Sequence, residues 1–386
     1  EDTFIFYFGD HGGVLPRGKG YAYESGLHVP LVVRTPRKWA HLVPWRRGAR
    51  VRGFVSFVDF GPTLLNLAGL QVPDQVDGRP FLGKGIAASE VEARDEAFGY
   101  ADRFDEKYDL VRTLRKGKFE YVRSYQPFNF DGLQNNYRYR MLAYAEWRDL
   151  YRQGKLSAVQ SQFFEARAPE ALYDIETDPH ETRNLAADPK YAPVLTRLRK
   201  RLAERVKGMP DLSLYPESHL VEKAFGKPVP FGRGHKEEIG RLVDIADLSL
   251  GAFAGARSDI AEALASANPW ERYWGLIACS SHGAKAAPLV DKARELAGED
   301  SNLLVRTRAA EFLGLIGAAD PRPVLTEALG QSRSGVETSL ILNTVVLLRD
   351  GKPGYAFEIA ADRLHPSVRK ADGVKRRLEY LRSGQR

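Results

Sequence analysis

The sequence changes character near residue 236, and no single kind of core suits both sides of that break. Before it, short apolar runs such as TFIFYF at 3–8 and VPLVVR at 29–34 alternate with loops rich in glycine and proline, as strands joined by short connections do. Beyond it, alanine and leucine dominate and strand signals fade. A chain of 386 residues is long enough for two or three domains. The expected division is an α/β part at 1–95, an α+β part at 96–208, a linker at 209–235 rich in proline, glycine and histidine, and a helical part at 236–386.

Several classes are excluded at once. No apolar run approaches the ~18 residues of a membrane-spanning helix. The one cysteine, Cys279, rules out a disulfide framework within the chain. The first residue is Glu1, and an apolar strand follows with no signal-like segment before it. A domain seldom opens on a core strand, so the expectation is the C-terminal part of a longer protein, with localisation signals in the remainder. The formal net charge of +7 fits either a solvated basic surface or a partner rich in phosphate or sulfate. Nucleic acid is not expected, because zinc-finger spacing and RNP-like motifs are absent and the basic residues read as scattered.

Local patterns set the expected elements. Residues 3–8 and 29–34 read as buried strands. VSFVDFGPTLLNLAGL at 55–70 reads as a strand end entering a helix, with Asp59 as cap, Pro62 in the first turn and Gly69 at the end. EAFGYA and GKFEYVRSY within 97–125 read as strands, with LRKGK at 114–118 a turn between strands. Helices are expected at 141–156 and 194–208, with a strand beginning near 171. The aromatic stretch 121–173 either stacks on sugar rings or forms a core. Three helix pairs are drawn at 258–297, 301–330 and 334–363. They form either a HEAT-like repeat module, where each pair buries its apolar face on the next, or a plain helical bundle.

The sharpest chemical feature is Asp10-His11-Gly12-Gly13 at the C-terminal end of the first strand, the end where α/β sheets bind ligands. A carboxylate beside an imidazole can turn toward one cation, although such pairs are also common in plain turns. Lys19 follows within Arg17-Gly18-Lys19-Gly20, where flanking glycines let an anion approach the backbone. An exposed loop lysine is the alternative. Arg17 reads as a solvated arginine or a substrate contact, and Tyr23 and Glu24 read as loop packing. His180 and Glu181 read as turn capping and salt bridging. His41, His219, His235, His282 and His365 share no metal-ligand spacing.

The segment FGDHGGVLPRGKGYAYESGLHVPLVVRTP at 8–36 resembles the type I sulfatase family of the alkaline-phosphatase-like superfamily. Lys19, Tyr23, Glu24, Gly26, Val29 and Pro30 follow the family's G-K-x-x-x-Y-E-x-G-x-x-V-P order after an Asp-His-Gly loop. LYDIETDPHETRNLA at 172–186 is similar to a second family motif, L-Y-D-L-x-x-D-P-x-E-x-x-N-L. The strand pair at 110–125 and the helix at 55–70 fit the same order, and the aromatic insert looks most like the sulfoglucosamine-sulfohydrolase-like branch. The resemblance covers about residues 1–208. It implies an α/β sulfatase-like fold, the distal part of the superfamily sheet plus a small α+β subdomain, with the all-α module after it.

The resemblance further implies a calcium- and formylglycine-dependent hydrolase of sulfate esters or sulfamates on a sulfated carbohydrate. Asp10 and His11 match two calcium ligands, and Lys19 matches the lysine that contacts sulfate. The formylglycine motif C/S-x-P/A-x-R is absent from these 386 residues. Cys279 lies in ACSSHG, outside the matching region, and reads as a buried small hydrophobe. The nucleophile is expected upstream, and this chain alone is expected to be inactive. The family implies a periplasmic or secreted protein, with no membrane partner. The alternatives are a phosphodiesterase- or phosphatase-like metal hydrolase of the same superfamily, or a degenerate scaffold that binds a protein partner or its own copies through the helices.

Overall fold

A computed structural model describes residues 2–383. Strand β1 (Ile5–Phe8) pairs antiparallel with β2 (Leu31–Arg34), with Ile5 opposite Arg34 and Phe8 opposite Leu31. Helix α1 (Phe60–Leu67) follows. A four-stranded sheet in the order β3 (Glu96–Phe104), β4 (Lys107–Lys116), β5 (Phe119–Ser124) and β6 (Glu170–Asp174) comes next in the chain. Helix α2 (Leu142–Arg152) lies between β5 and β6, and α3 (Ala192–Gly208) follows β6. Short helical turns, among them Leu212–Leu214, Glu217–His219 and Pro228–Gly234, run through 209–235. The rest is helical: α4 (Lys236–Asp247), α5 (Phe253–Ala265), α6 (Pro269–His282), α7 (Val290–Glu299), α8 (Leu303–Leu315), α9 (Arg322–Gln331), α10 (Gly335–Asp350) and α11 (Asp372–Ser383). Among the described residues no helix is long and apolar enough to cross a membrane.

The chain forms two compact units. One comprises residues up to Tyr100, Arg112–Val122 and Leu172–Leu198. Its core gathers around Phe81, Leu82 and Val91, onto which Phe6, Leu31, Val33, Trp45 and Phe60 pack. The strands at 3–8 and 29–34 are therefore not buried on both faces as expected. Phe6 turns inward, whereas Tyr7 is 69% and Val32 59% exposed, since period-two alternation sends neighbouring side chains to opposite faces and only one face is packed. Helix α1 also departs from expectation in one detail. Residues 57–59 form a 3₁₀ turn capped by Ser56, and Asp59, which directly precedes α1, makes no side-chain cap bond to that helix. Asp59 sits three residues in, accepts from Ser56 N at 2.9 Å and from Arg79 N at 2.8 Å, and so ties the segment after the helix to its start. Gly69, at φ 74°, ends the helix as read from sequence.

The other unit comprises Ala101–Val111, Arg123–Ala171 and the chain from Arg199 onward. Its aromatic insert is a core: Trp147 stacks on Phe163 at 4.4 Å and Tyr151 on Phe164 at 4.8 Å, with Tyr144, Phe163 and Phe164 buried. The middle helix pair, α8 with α9, falls where the sequence placed it. The third does not close within 334–363. Gly351, Pro353 and Gly354 follow α10, and the next helix to pack on it is α11. The module is pinned by buried charges. Arg308 donates to both oxygens of Glu311 at 2.8 Å and to the Tyr273 hydroxyl at 2.8 Å, and Thr344 donates to Glu311 at 2.7 Å. Removing one member strands a buried charge, a penalty of about 3–5 kcal/mol. Glu311→Ala is expected to lower unfolding free energy by that amount in urea titration. A loss below about 1 kcal/mol would show that Arg308 finds solvent instead.

Candidate active site at the Asp10-His11 loop

The β1–β2 ladder continues one step, with Gly9 N donating to Pro30 O at 3.2 Å, and then the backbone folds back on itself. Gly12 N donates to Gly26 O and Lys19 N to Gly13 O, both at 2.9 Å. Two glycines permit this closeness. A Cβ on Gly12 would stand 1.8 Å from Ser25 O, and one on Gly18 would stand 2.1 Å from Gly13 O. The result is a tight double loop that carries Asp10, His11 and Lys19 on one short stretch of chain.

Asp10 and His11 meet, with His11 Nε2 3.4 Å from Asp10 Oδ2. The other ring nitrogen, Nδ1, lies 2.8 Å from Gly12 O, a contact that requires the proton on Nδ1. In the neutral ring this leaves the Nε2 lone pair directed at a carboxylate oxygen. A metal ion could bridge the two, because donors about 3.3–3.7 Å apart subtend roughly a right angle at a cation 2.3–2.6 Å from each. A ligating histidine held through its second nitrogen by a backbone carbonyl is the usual arrangement for such a ring. The Asp10 side chain is 81% exposed and that of His11 34%, so both can reach a cation from solvent. The pair could offer two donors to a cation, and among the described residues no group of three or more His, Cys, Asp or Glu side chains gathers there.

Lys19 is half-buried on the same double loop. The loop is fastened by a part of the chain some 160 residues away. Arg17, in the left-handed region at φ 63°, lays its guanidinium over the Tyr23 ring at 3.9 Å. It donates to the carbonyl of His180 and to that of Glu181 at 3.0 Å. Glu181 is itself left-handed at φ 51°, and its Oε2 accepts from Glu24 N at 2.9 Å, capping the helical turn Glu24–Leu27 from outside. Arg17 is thus a clamp and not the solvated residue its composition suggested. No sequence signal marks it, because the carbonyls it holds are backbone groups of a distant turn. The loop-packing and turn-capping readings of Glu24 and Glu181 agree with these contacts. Asp178 completes that turn by accepting from Thr182 N and Arg183 N, each at 2.8 Å.

Three glutamates share this region. Burial, opposed by Arg17, pushes Glu181 up to about 7, and burial with the nearby charges of Glu181 and Glu24 raises Glu120 well above the carboxylate range. Glu24 behaves otherwise. Burial pushes it up, but the His28 ring at 2.7 Å and the Arg115 guanidinium at 3.4 Å hold it below the usual range. Away from the loop, Cys279 is fully buried in α6, and burial pushes its thiol up to about 12, which keeps it unreactive.

Residues 1–70 match the Sulfatase family model, so the sulfatase likeness read from the Asp-His-Gly loop onward stands. The particular relatives are informative. An ulvan-active sulfatase of Formosa agariphila is 37% identical over 224 residues, covering 58% of this chain and 36% of that protein. A second ulvan-active sulfatase of the same organism is 24% identical over 245 residues, 61% of this chain and 42% of that protein. The human N-sulphoglucosamine sulphohydrolase is 27% identical over 224 residues, 53% of this chain and 41% of that protein. The chain spans about two-fifths of the length of these curated relatives.

The Glu181 carboxyl generates a pH prediction. Its pKa in the fold, about 7, stands above its ordinary 4.5. The stability it contributes is therefore complete below about pH 4.5 and is lost as the pH rises through 7. Glu181→Gln keeps an acceptor for Glu24 N and removes the titration. The melting temperature of this variant minus that of the unmodified protein is expected to climb between pH 5 and 7 and to level off above. Parallel melting curves across that range would place the Glu181 carboxyl in water.

Proposed function

We propose that this chain supplies part of the active site of a calcium-dependent sulfatase that removes sulfate from a sulfated carbohydrate by cleaving an ester or sulfamate. The observation that carries the reading is the double loop itself, which sets a carboxylate oxygen and an imidazole lone pair 3.4 Å apart and holds Lys19 on the same turn of chain. The family likeness and the ulvan-active and sulphoglucosamine relatives support the substrate class.

In this reading Asp10 Oδ2 and His11 Nε2 would hold the cation. The Gly12 carbonyl keeps the His11 proton on Nδ1, so that Nε2 stays available. A calcium ion bound there would supply positive charge against the negative charge of the sulfate group. Lys19 adds a second positive charge, which counts most as the S–O or S–N bond breaks and negative charge grows on the leaving group and sulfuryl oxygens. The nucleophile, a formylglycine by the resemblance, belongs to sequence outside these residues, since Cys279 is buried and no C/S-x-P/A-x-R segment is present. The modular division at 95, 208 and 235 belongs to the same proposal. So do a HEAT-like helical module with a contact role for α4–α11, and a periplasmic or secreted location.

The test is hydrolysis of a sulfated saccharide by the protein that carries this chain, with calcium supplied and then removed by chelation. Asp10→Ala is expected to abolish turnover without unfolding the protein. Lys19→Ala is expected to lower kcat/KM by about two to three decades, the scale for losing one charge-assisted contact made chiefly in the transition state, with kcat falling more than KM rises. An effect below about threefold would make Lys19 an ordinary loop residue, and chelator-insensitive activity in Asp10→Ala would remove the metal assignment.

A further inference from the structure

Several arginines of the first unit are spent on partners. Arg17 holds two carbonyls, Arg94 donates to Pro80 O and to Glu90 at 2.8 Å each, and Arg115 faces Glu24. The loop Arg46-Arg47-Gly48-Ala49-Arg50-Val51-Arg52 is different. It places four arginines within seven residues, all four exposed. Among the described residues, none of their guanidinium groups makes an ion pair, hydrogen bond or ring contact. The basic residues are thus not simply scattered as the sequence reading had them. Like charges packed this closely repel one another, and a fold normally relieves them with an intervening carboxylate. The nearest acid in the hydrogen-bond pattern, Glu92, is turned to the backbone, with Oε2 accepting from Arg52 N at 3.0 Å.

The loop is built, not frayed. Trp45 on one side and Val55 on the other pack against the Phe81–Leu82–Val91 core. At its centre Ala49 N donates to Arg46 O at 3.1 Å across Gly48, whose φ of 79° suits glycine. At its exit Phe54 N donates to Arg94 O at 2.7 Å, and Gly53 lies so close to Val91 O that a Cβ would come within 1.8 Å of it. Four cations are therefore presented on a short tether fixed at both ends, which reduces the ordering cost of binding. The segment carries no aromatic residue between Trp45 and Phe54 on which a base would stack, so nucleic acid is the poorer fit. Guanidinium forks match the paired oxygens of sulfate groups.

We infer that residues 46–52 form a binding loop for a sulfated polysaccharide, engaging sulfate groups of the chain other than the one cleaved. The choice of sulfated carbohydrate over other polyanions rests on the function proposed above, whereas the anion site itself rests on the loop alone.

The experiment measures binding and not turnover. The full chain is titrated with dextran sulfate, with uncharged dextran as blank and a single-stranded DNA of equal charge as competitor class. The triple variant Arg47→Gln, Arg50→Gln, Arg52→Gln is compared with a matched control that removes three exposed cations elsewhere, Arg197→Gln, Lys200→Gln and Arg257→Gln. The expected result is at least a tenfold weaker Kd for dextran sulfate in the loop variant alone. The slope of log K against log salt should also fall by about two to three, as expected when that many ionic contacts are lost. Equal weakening in the control would reduce the effect to net charge and overturn the site. Binding of the DNA as tightly as dextran sulfate, and equally dependent on the loop, would overturn the carbohydrate assignment. Hydrolysis assays on the longer protein that carries this chain report the proposed reaction separately. Loop-dependent binding without hydrolysis would sink the reaction and keep the site, and hydrolysis without loop-dependent binding would do the reverse.

Discussion

The grip of Arg17 on the His180 and Glu181 carbonyls is the constraint on which the candidate site depends. Two stretches of chain that look unrelated in sequence, the Asp-His-Gly loop and the turn at 172–186, are made into one object by a guanidinium stacked on Tyr23 and a carboxylate that caps the turn at Glu24. Both clamp residues adopt left-handed backbone, a conformation that costs a non-glycine residue energy and persists where surrounding contacts over-determine it. The double loop between residues 9 and 27 would otherwise be a glycine-rich excursion with many accessible conformations. Fastened in this way, it carries Asp10 and His11 on a backbone of defined course.

Burial of charge recurs through the protein in two forms. Near the double loop, three glutamates sit close together, and their environments push them apart: Glu24 is held ionised by His28 and Arg115, while Glu120 and Glu181 are pushed toward the protonated form. In the second unit, buried arginines face acceptors. Arg377 donates to Gln134 O, Glu106 O and Asn343, and Arg167 bridges Asp109 at 2.7 Å and Asp131 at 3.3 Å. Such networks fix geometry more surely than they add stability, because a hydrophobic replacement would avoid the desolvation cost. They suit a unit whose helices otherwise meet through alanine and leucine, side chains that pack well and specify register poorly.

Much of this was legible in the primary structure. The apolar period marked β1, β2, β3 and β5, and the amphipathic spacing marked α2 and α3. The pair α8 and α9 fell where the pattern placed it. The misses have local physical causes. Asp59 reads as a cap because aspartate before an apolar run usually is one, yet Ser56 begins the turn and Asp59 answers it from three residues inside. The strands at 3–8 and 29–34 read as buried because every second residue and its neighbour are apolar, and hydropathy does not say how many faces find a partner.

By itself the sequence determined the chemistry available: a carboxylate, an imidazole and a lysine on one glycine-rich loop, a buried and inert Cys279, and a change from strands to helices near residue 236. These are short-range facts, set by residue type and spacing. Tertiary structure decided which nitrogen of His11 faces Asp10, that Arg17 is a clamp, and that, among the described residues, the guanidinium groups of four arginines at 46–52 stand without partners. Each of those depends on where a backbone carbonyl or a carboxylate distant in sequence comes to rest, and that is fixed only when the chain has closed on itself.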